Sequence, residues 1–221
     1  MYFQGGSVVK LHYCSKHKKI QAFTHRKYLY GNGTGYAECS LDNDLETIIN
    51  NIPNMYSGKK GYEKENLSEK YIQSQYIINY HSNYIDSEFA YKDNLFDIRV
   101  DLIKCINGEL QFVELKTIDD SRMLKRNDDN PEVVEQVEAY KNFISNYKPE
   151  KIVEYYQKVW EIKKDLGLTI PEERPSSLAE KPLLLIFNNW TKPHPMRSNR
   201  LKRIKNHLEY NKVTYIIVSE I

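Results

Sequence analysis

Asp101, Glu114 and Lys116 are the residues of this 221-residue chain whose types and spacing point most directly to chemistry. Two carboxylates and an ammonium can hold a divalent cation and steady negative charge as it develops, the combination needed for metal-assisted hydrolysis. Hard cations such as Mg²⁺ take carboxylate oxygens and keep waters, so a small acidic pair suffices where a soft metal would want cysteine or histidine.

The elements that must position these residues are legible on either side of Asn107-Gly108. Leu95 to Ile106 and Glu109 to Thr117 are rich in β-branched residues and leucine, and Asn-Gly between two such runs marks a tight hairpin whose turn residues both take positive φ. A two-residue loop pairs Ile106 with Glu109. Counting outward, Asp101 falls opposite Glu114 and Arg99 opposite Lys116. Strict alternation then sends Arg99, Asp101, Glu114 and Lys116 to one face. A four-residue loop keeps this pairing and a three-residue loop breaks it. Facing carboxylates repel, and a cation between them turns that liability into a site. On this count Asp101→Ala or Glu114→Ala relieves repulsion and leaves the fold intact.

A polar stretch from Asp119 to Asp129 follows, and then a strong helical pattern over Pro131–Tyr147. Asn130 is the expected N-cap and Pro131 the first helical residue. Val133, Val137, Tyr140, Ile144 and Tyr147 form an apolar stripe. Gln136 and Tyr140, four apart on its edge, can reach one target together. The competing view makes Tyr140 a core aromatic and Gln136 its flank.

An Asp followed, beyond a hairpin turn, by Glu-x-Lys resembles the PD-(D/E)XK nuclease superfamily, carried here by Asp101 and Glu114-Leu115-Lys116. Gln136-x-x-x-Tyr140 is similar to the signature of its RecB-type branch. The resemblance covers about residues 67–221. It implies that Asp101 and Glu114 hold Mg²⁺ or Mn²⁺, that Lys116 orients or activates the attacking water or stabilises charge on the phosphate, and that Gln136 and Tyr140 support the site and the bound nucleic acid. Members often carry an extra Glu on the helix before the catalytic sheet. Glu69, opening a helical pattern over Leu67–Asn83 behind Ser68, is the candidate, as metal or water ligand. As a first-turn acid it also offsets the helix dipole. Some RecB-type nucleases bind an iron–sulfur cluster through four cysteines. With no cysteine after Cys105, that cofactor is not expected.

Basic charge is concentrated in two places. Residues 190–212 carry Arg197, Arg200, Arg203 and Lys205 among nine basic side chains against the single acid Glu209, and Lys10 to Lys27 contains no acid. Such stretches suit a phosphate backbone, or form solvated faces. Over the whole chain 32 basic residues balance 30 acidic ones, so the net charge is uninformative. Three scattered cysteines, Cys14, Cys39 and Cys105, build no disulfide framework and suit a reducing compartment. Cys14, His17, His25 and Cys39 lack a usual zinc-ligand rhythm. Nothing resembles a signal peptide or a membrane span, so a cytoplasmic location is expected.

The remaining organisation follows from pattern. Residues 1–7 read as the remnant of a cleavable tag. Residues 8–60 read as a β-rich extension, two or three strands and then a helix near Asp44–Ile52, with Gly31 to Gly35 as a glycine turn between strands. Residues 61–221 read as the nuclease core. Its further elements are a helix over 149–166, a buried strand over Lys181–Phe187, a helix over 198–210 and a closing strand over Val213–Val218. The expectation is an α/β protein with a restriction-endonuclease-like mixed sheet flanked by helices. Its expected activity is metal-dependent cleavage of nucleic acid, DNA first. RNA cleavage, or a non-catalytic nucleic-acid-binding or assembly module on the same fold, are the alternatives.

Overall fold

The computed structural model describes residues 2–3, 6–55, 64–124, 131–192 and 194–220. The protein is mixed α/β and divides into two compact units, residues 1–74 and 75–221. The division falls inside one helix, some way beyond the 60/61 boundary suggested by the sequence.

The first unit begins with a short antiparallel pair, β1 (Tyr2–Phe3) and β2 (Gly6–Ser7). Three antiparallel strands follow in spatial order, β3 (Val9–Cys14), β4 (Lys19–His25) and β5 (Tyr36–Cys39). Between β4 and β5 lies a short helix, α1 (Arg26–Tyr30), that the pattern did not suggest. His25 Nδ1 accepts the Lys27 N–H at its start, and Gly31 ends it at φ 76°. The glycine segment therefore terminates a helix instead of joining two strands, and left-handed backbone explains Gly31. Helix α2 (Leu41–Met55) is longer than expected, and its Ile48 and Ile52 are buried with Val8, Val9, Ala22, Tyr28 and Cys39. Helix α3 (Glu69–Asn79) starts after Ser68, whose Oγ accepts the Tyr71 N–H at 3.2 Å.

The second unit is built on a six-stranded sheet, in which β6 (Tyr84–Lys92), β7 (Asp97–Ile106), β8 (Glu109–Thr117), β10 (Leu183–Phe187) and β11 (Tyr215–Val218) lie side by side. The two-residue β9 (Ser177–Leu178) pairs with the start of β8. Strands β6, β7 and β8 are antiparallel neighbours, and β8, β10 and β11 run parallel. Parallel neighbours need crossovers. Helices α4 (Glu132–Asn146) and α5 (Pro149–Asp165) lie between β8 and β10, and α6 (Pro195–Tyr210) lies between β10 and β11. Strand β6 is absent from the sequence reading, because its Asp-Ser-Glu stretch interrupts the apolar alternation. Pro131 occupies the cap position and makes no side-chain cap bond, one residue earlier in the helix than expected. Asn130 lies outside the described residues.

Two clusters fill one side of the sheet, and α4 spans both. Val133, Val134 and Val137 pack with Leu184 and Ile186 of β10 and with Ile204 and Leu208 of α6. Two turns on, Tyr140, Phe143 and Ile144 pack with Leu110 and Phe112 of β8 and with Ile152 and Tyr156 of α5. The parallel register sets Leu184 beside Glu114 and Ile186 beside Lys116. Those two charged residues therefore point into the α4 side of the sheet, between the clusters.

Candidate active site

The hairpin forms as its turn dictates. Asn107 and Gly108 take φ 50° and 71°, and the ladder runs from Ile106 opposite Glu109 to Leu102 opposite Val113. At Asp101 the expected alternation breaks. Val100 and Ile103 both belong to the cluster with Tyr140, although they stand three positions apart. A regular strand cannot send both to one face. The neighbouring strand is irregular at the same level. Ser87 pairs with Leu102 and Phe89 with Val100, which leaves Glu88, at φ 58°, opposite Asp101.

The break has two consequences. Arg99, next to the inward Val100, is exposed on the other face and does not join the cluster as simple alternation suggested. Asp101 does join it, by a different route from the direct cross-strand pairing expected: its Oδ2 accepts the Leu115 N–H of β8 at 2.9 Å. The irregularity turns the carboxylate toward Lys116, whose Nζ is 3.5 Å from the same oxygen.

Glu114 and Lys116 are fully buried. The Lys116 ammonium donates to Glu114 Oε1 and to the Leu115 carbonyl oxygen. Three oxygens, from Asp101, Glu114 and the Leu115 backbone, thus converge on one positive centre. The other Glu114 oxygen meets the Tyr140 hydroxyl, which also lies in hydrogen-bonding reach of the Arg99 carbonyl. Gln136 Nε2 donates to that hydroxyl at 3.0 Å. Burial and the Asp101 charge push the Glu114 carboxyl up to about 7, against the pull of Lys116 and Tyr140. Burial first, and then the Glu114 charge, raises the Tyr140 phenol, which keeps it a proton donor at neutral pH. Tyr140 is therefore a core aromatic and a polar contact at once, so the two readings of the sequence meet in one side chain.

Five of the six proposed active-site residues are brought together: Asp101, Glu114, Lys116, Gln136 and Tyr140. Glu69 opens α3 in the other unit. The four basic candidates of α6 differ among themselves. Arg200 is half-buried and donates to the Ile118 and Asp120 carbonyl oxygens, at 3.0 and 2.8 Å. It pins the segment that leaves β8 just after Lys116. Arg197 lies 5.6 Å from the Trp190 ring and donates to the Lys192 carbonyl. Arg203 and Lys205 are exposed. At about 100° per residue they stand about 160° apart around the helix, so one straight phosphate backbone cannot serve both.

Sequence reasoning passed over Asp120. Burial alone would raise its carboxyl, but hydrogen bonds from the Arg122 side chain and backbone, with the nearby Lys116 charge, hold it below the usual range. Trp190, whose indole N–H donates to Asp119 at 2.8 Å, ties down the same loop. Neither was marked by a motif, since both act through a contact more than 70 residues away or through local loop geometry.

Comparison of the chain with protein-family models, with curated proteins and with solved structures returns no match. No group of three or more His, Cys, Asp or Glu side chains suited to a metal ion is present among the described residues. The hard oxygens gathered at the hairpin are two carboxylates and one backbone carbonyl, a set that suits Mg²⁺ or Mn²⁺ if water or substrate completes the shell. No helix among the described residues is long and apolar enough to cross a membrane.

Proposed function

We propose that the protein is a metal-dependent nuclease with a restriction-endonuclease-like core, hydrolysing phosphodiester bonds in nucleic acid and DNA in the first instance. The observation that carries this reading is the convergence of Asp101, Glu114 and the Leu115 carbonyl on Lys116. A structural role alone gives little reason to gather two carboxylates and an ammonium in an apolar interior, where ion pairs seldom stabilise more than well-packed apolar side chains.

In this reading Asp101, Glu114 and the Leu115 carbonyl would hold the ion. Bound Mg²⁺ or Mn²⁺ supplies charge neutralisation at the scissile phosphate and acidifies an attacking water. With the ion bound, the Lys116 ammonium would serve the phosphate oxygens or the water, where negative charge develops. Tyr140 fixes the outer Glu114 oxygen by donating a hydrogen bond to it, and Gln136 fixes Tyr140.

The test is cleavage of single- and double-stranded DNA and RNA with Mg²⁺, Mn²⁺ and EDTA. The parent is expected to cut in the presence of either metal, and Asp101→Asn and Lys116→Ala to lose at least a hundredfold in rate. If metal-dependent cutting persists equally in both variants, this cluster is not the active site. If the parent binds nucleic acid but cuts none of the four substrates, the chain is the non-catalytic module.

A further inference from the structure

Away from the acid–lysine cluster, a cleft of about 400 Å³ opens beside β6, an outer strand of the sheet, at the junction of α4 and α5. That volume lies in the range of small-ligand sites, roughly 300–1,000 Å³. Asp86 and Glu88 of β6 line it, together with Tyr91, Tyr147, Lys151 and Tyr155. Tyr91 and Tyr147 meet at 4.8 Å between ring centroids with their planes 57° apart, forming an angled aromatic corner. Tyr155 is 51% exposed, so its ring is open to a ligand.

The polar side of the cleft is acceptor-rich. Ionised carboxylates only accept hydrogen bonds. Asp86 receives one from the Tyr156 hydroxyl at 3.2 Å, and burial still holds its carboxyl above the ordinary range although the Lys163 charge pulls it down. Lys163 is itself bonded to the Ile85 carbonyl. Aromatic faces attract cations. A guanidinium uses such surroundings best, because it stacks flat on a ring and presents a fork of donors to carboxylates. A phosphate-bearing ligand would meet two carboxylates against Lys151 alone in the lining.

We propose that this cleft is a binding site for a guanidinium group, presented as an arginine side chain by a protein partner. Among the described strands β6 is last in the sheet order, the position at which an extended segment of a partner can add. The site is separate from the nuclease reading and stands without it.

The experiment is a titration of the full chain with arginine amide, followed by amide chemical shifts, with citrulline amide as the uncharged analogue. Saturable shifts confined to 86–91 and 147–155 are expected with arginine amide and none with citrulline amide. Glu88→Gln and Tyr155→Ala, both at exposed positions, are expected to weaken binding at least fivefold. Equal binding of citrulline amide, or unchanged affinity in either variant, overturns the proposal. So does tighter occupation of the same cleft by AMP or GMP, which would make it a nucleotide site.

Discussion

The hairpin cluster and the basic helix α6 are both rich in charge, and they use it in opposite ways. At the hairpin, Glu114 and Lys116 are wholly buried and every polar atom has a close partner. On α6, Arg203 and Lys205 are exposed, while Ile204 and Leu208 are buried beneath the helix with Leu201 packed beside them. Buried charges are strongly coupled and intolerant of losing one partner, whereas exposed ones are screened by water and salt. A change at the hairpin should therefore register in stability as well as in chemistry. A change on α6 should register only in what the protein binds, with Arg200 as the exception that tests the rule.

The largest effect is expected from Glu114. The residue pattern suggests that removing a carboxylate leaves the fold intact, but Glu114 holds Lys116 and Tyr140 together inside the sheet. Glu114→Ala should cost about 3–5 kcal/mol, because it strands a buried ammonium. Glu114→Gln, which keeps the volume and accepts from either partner, should cost less. Asp101, less deeply buried, should cost least of the three. Urea midpoints of the three variants give the order, and equal midpoints would show the cluster to be loosely held.

Arg200 comes next. As a phosphate ligand its loss would leave stability alone and flatten the salt dependence of nucleic-acid binding. As the clasp seen here, Arg200→Ala should cost about 1–3 kcal/mol by leaving the Ile118 and Asp120 carbonyls without its hydrogen bonds. Thermal unfolding of the variant beside Arg203→Ala distinguishes these, since Arg203→Ala should fall within about 0.5 kcal/mol of the parent.

A smaller effect, confined to binding, separates the two flanks of α6. If one flank faces a phosphate backbone, either Arg203→Ala or Lys205→Ala should lower the log–log salt slope by about 0.9 per lost contact, and the other should leave it unchanged. Metal-free titrations at several salt concentrations read this. Equal shifts from both substitutions would mean that the nucleic acid wraps the helix.

The smallest effect is a pH dependence that has nothing to do with the active site. The Asp86 carboxyl is raised by burial, so the folded protein holds its proton more tightly than the unfolded chain. Its contribution to stability is fully present below the unfolded value and is lost as pH rises through the folded one. Asp86→Asn removes that dependence. The stability gap between variant and parent should shift in favour of the variant between about pH 4 and neutrality, as read from urea midpoints across the range. A gap that does not move with pH would place Asp86 in water.

Much of this was legible from residue order because it depends on neighbours along the chain. Asn107-Gly108 specifies a turn with two positive φ values, and the turn sets a register that holds for five residue pairs. The four-residue spacing of Gln136 and Tyr140 put both side chains within reach of each other. Helix starts at Ser68 and Pro131 were readable from capping chemistry to within a residue. What order along the chain could not decide is where alternation fails. The irregularity shared by β6 and β7 turns Asp101 toward Lys116 and leaves Arg99 outside, and it depends on Glu88 in a strand that no apolar pattern announced. The sorting of the α6 arginines is of the same kind. Arg200 and Arg203 look alike in sequence, and only the arrival of Ile118 and Asp120, some 80 residues earlier in the chain, makes Arg200 a clasp, whereas Arg203 is exposed. Local sterics and capping act over a few residues and are written in the sequence, whereas burial and pairing between distant segments exist only once the sheet has closed.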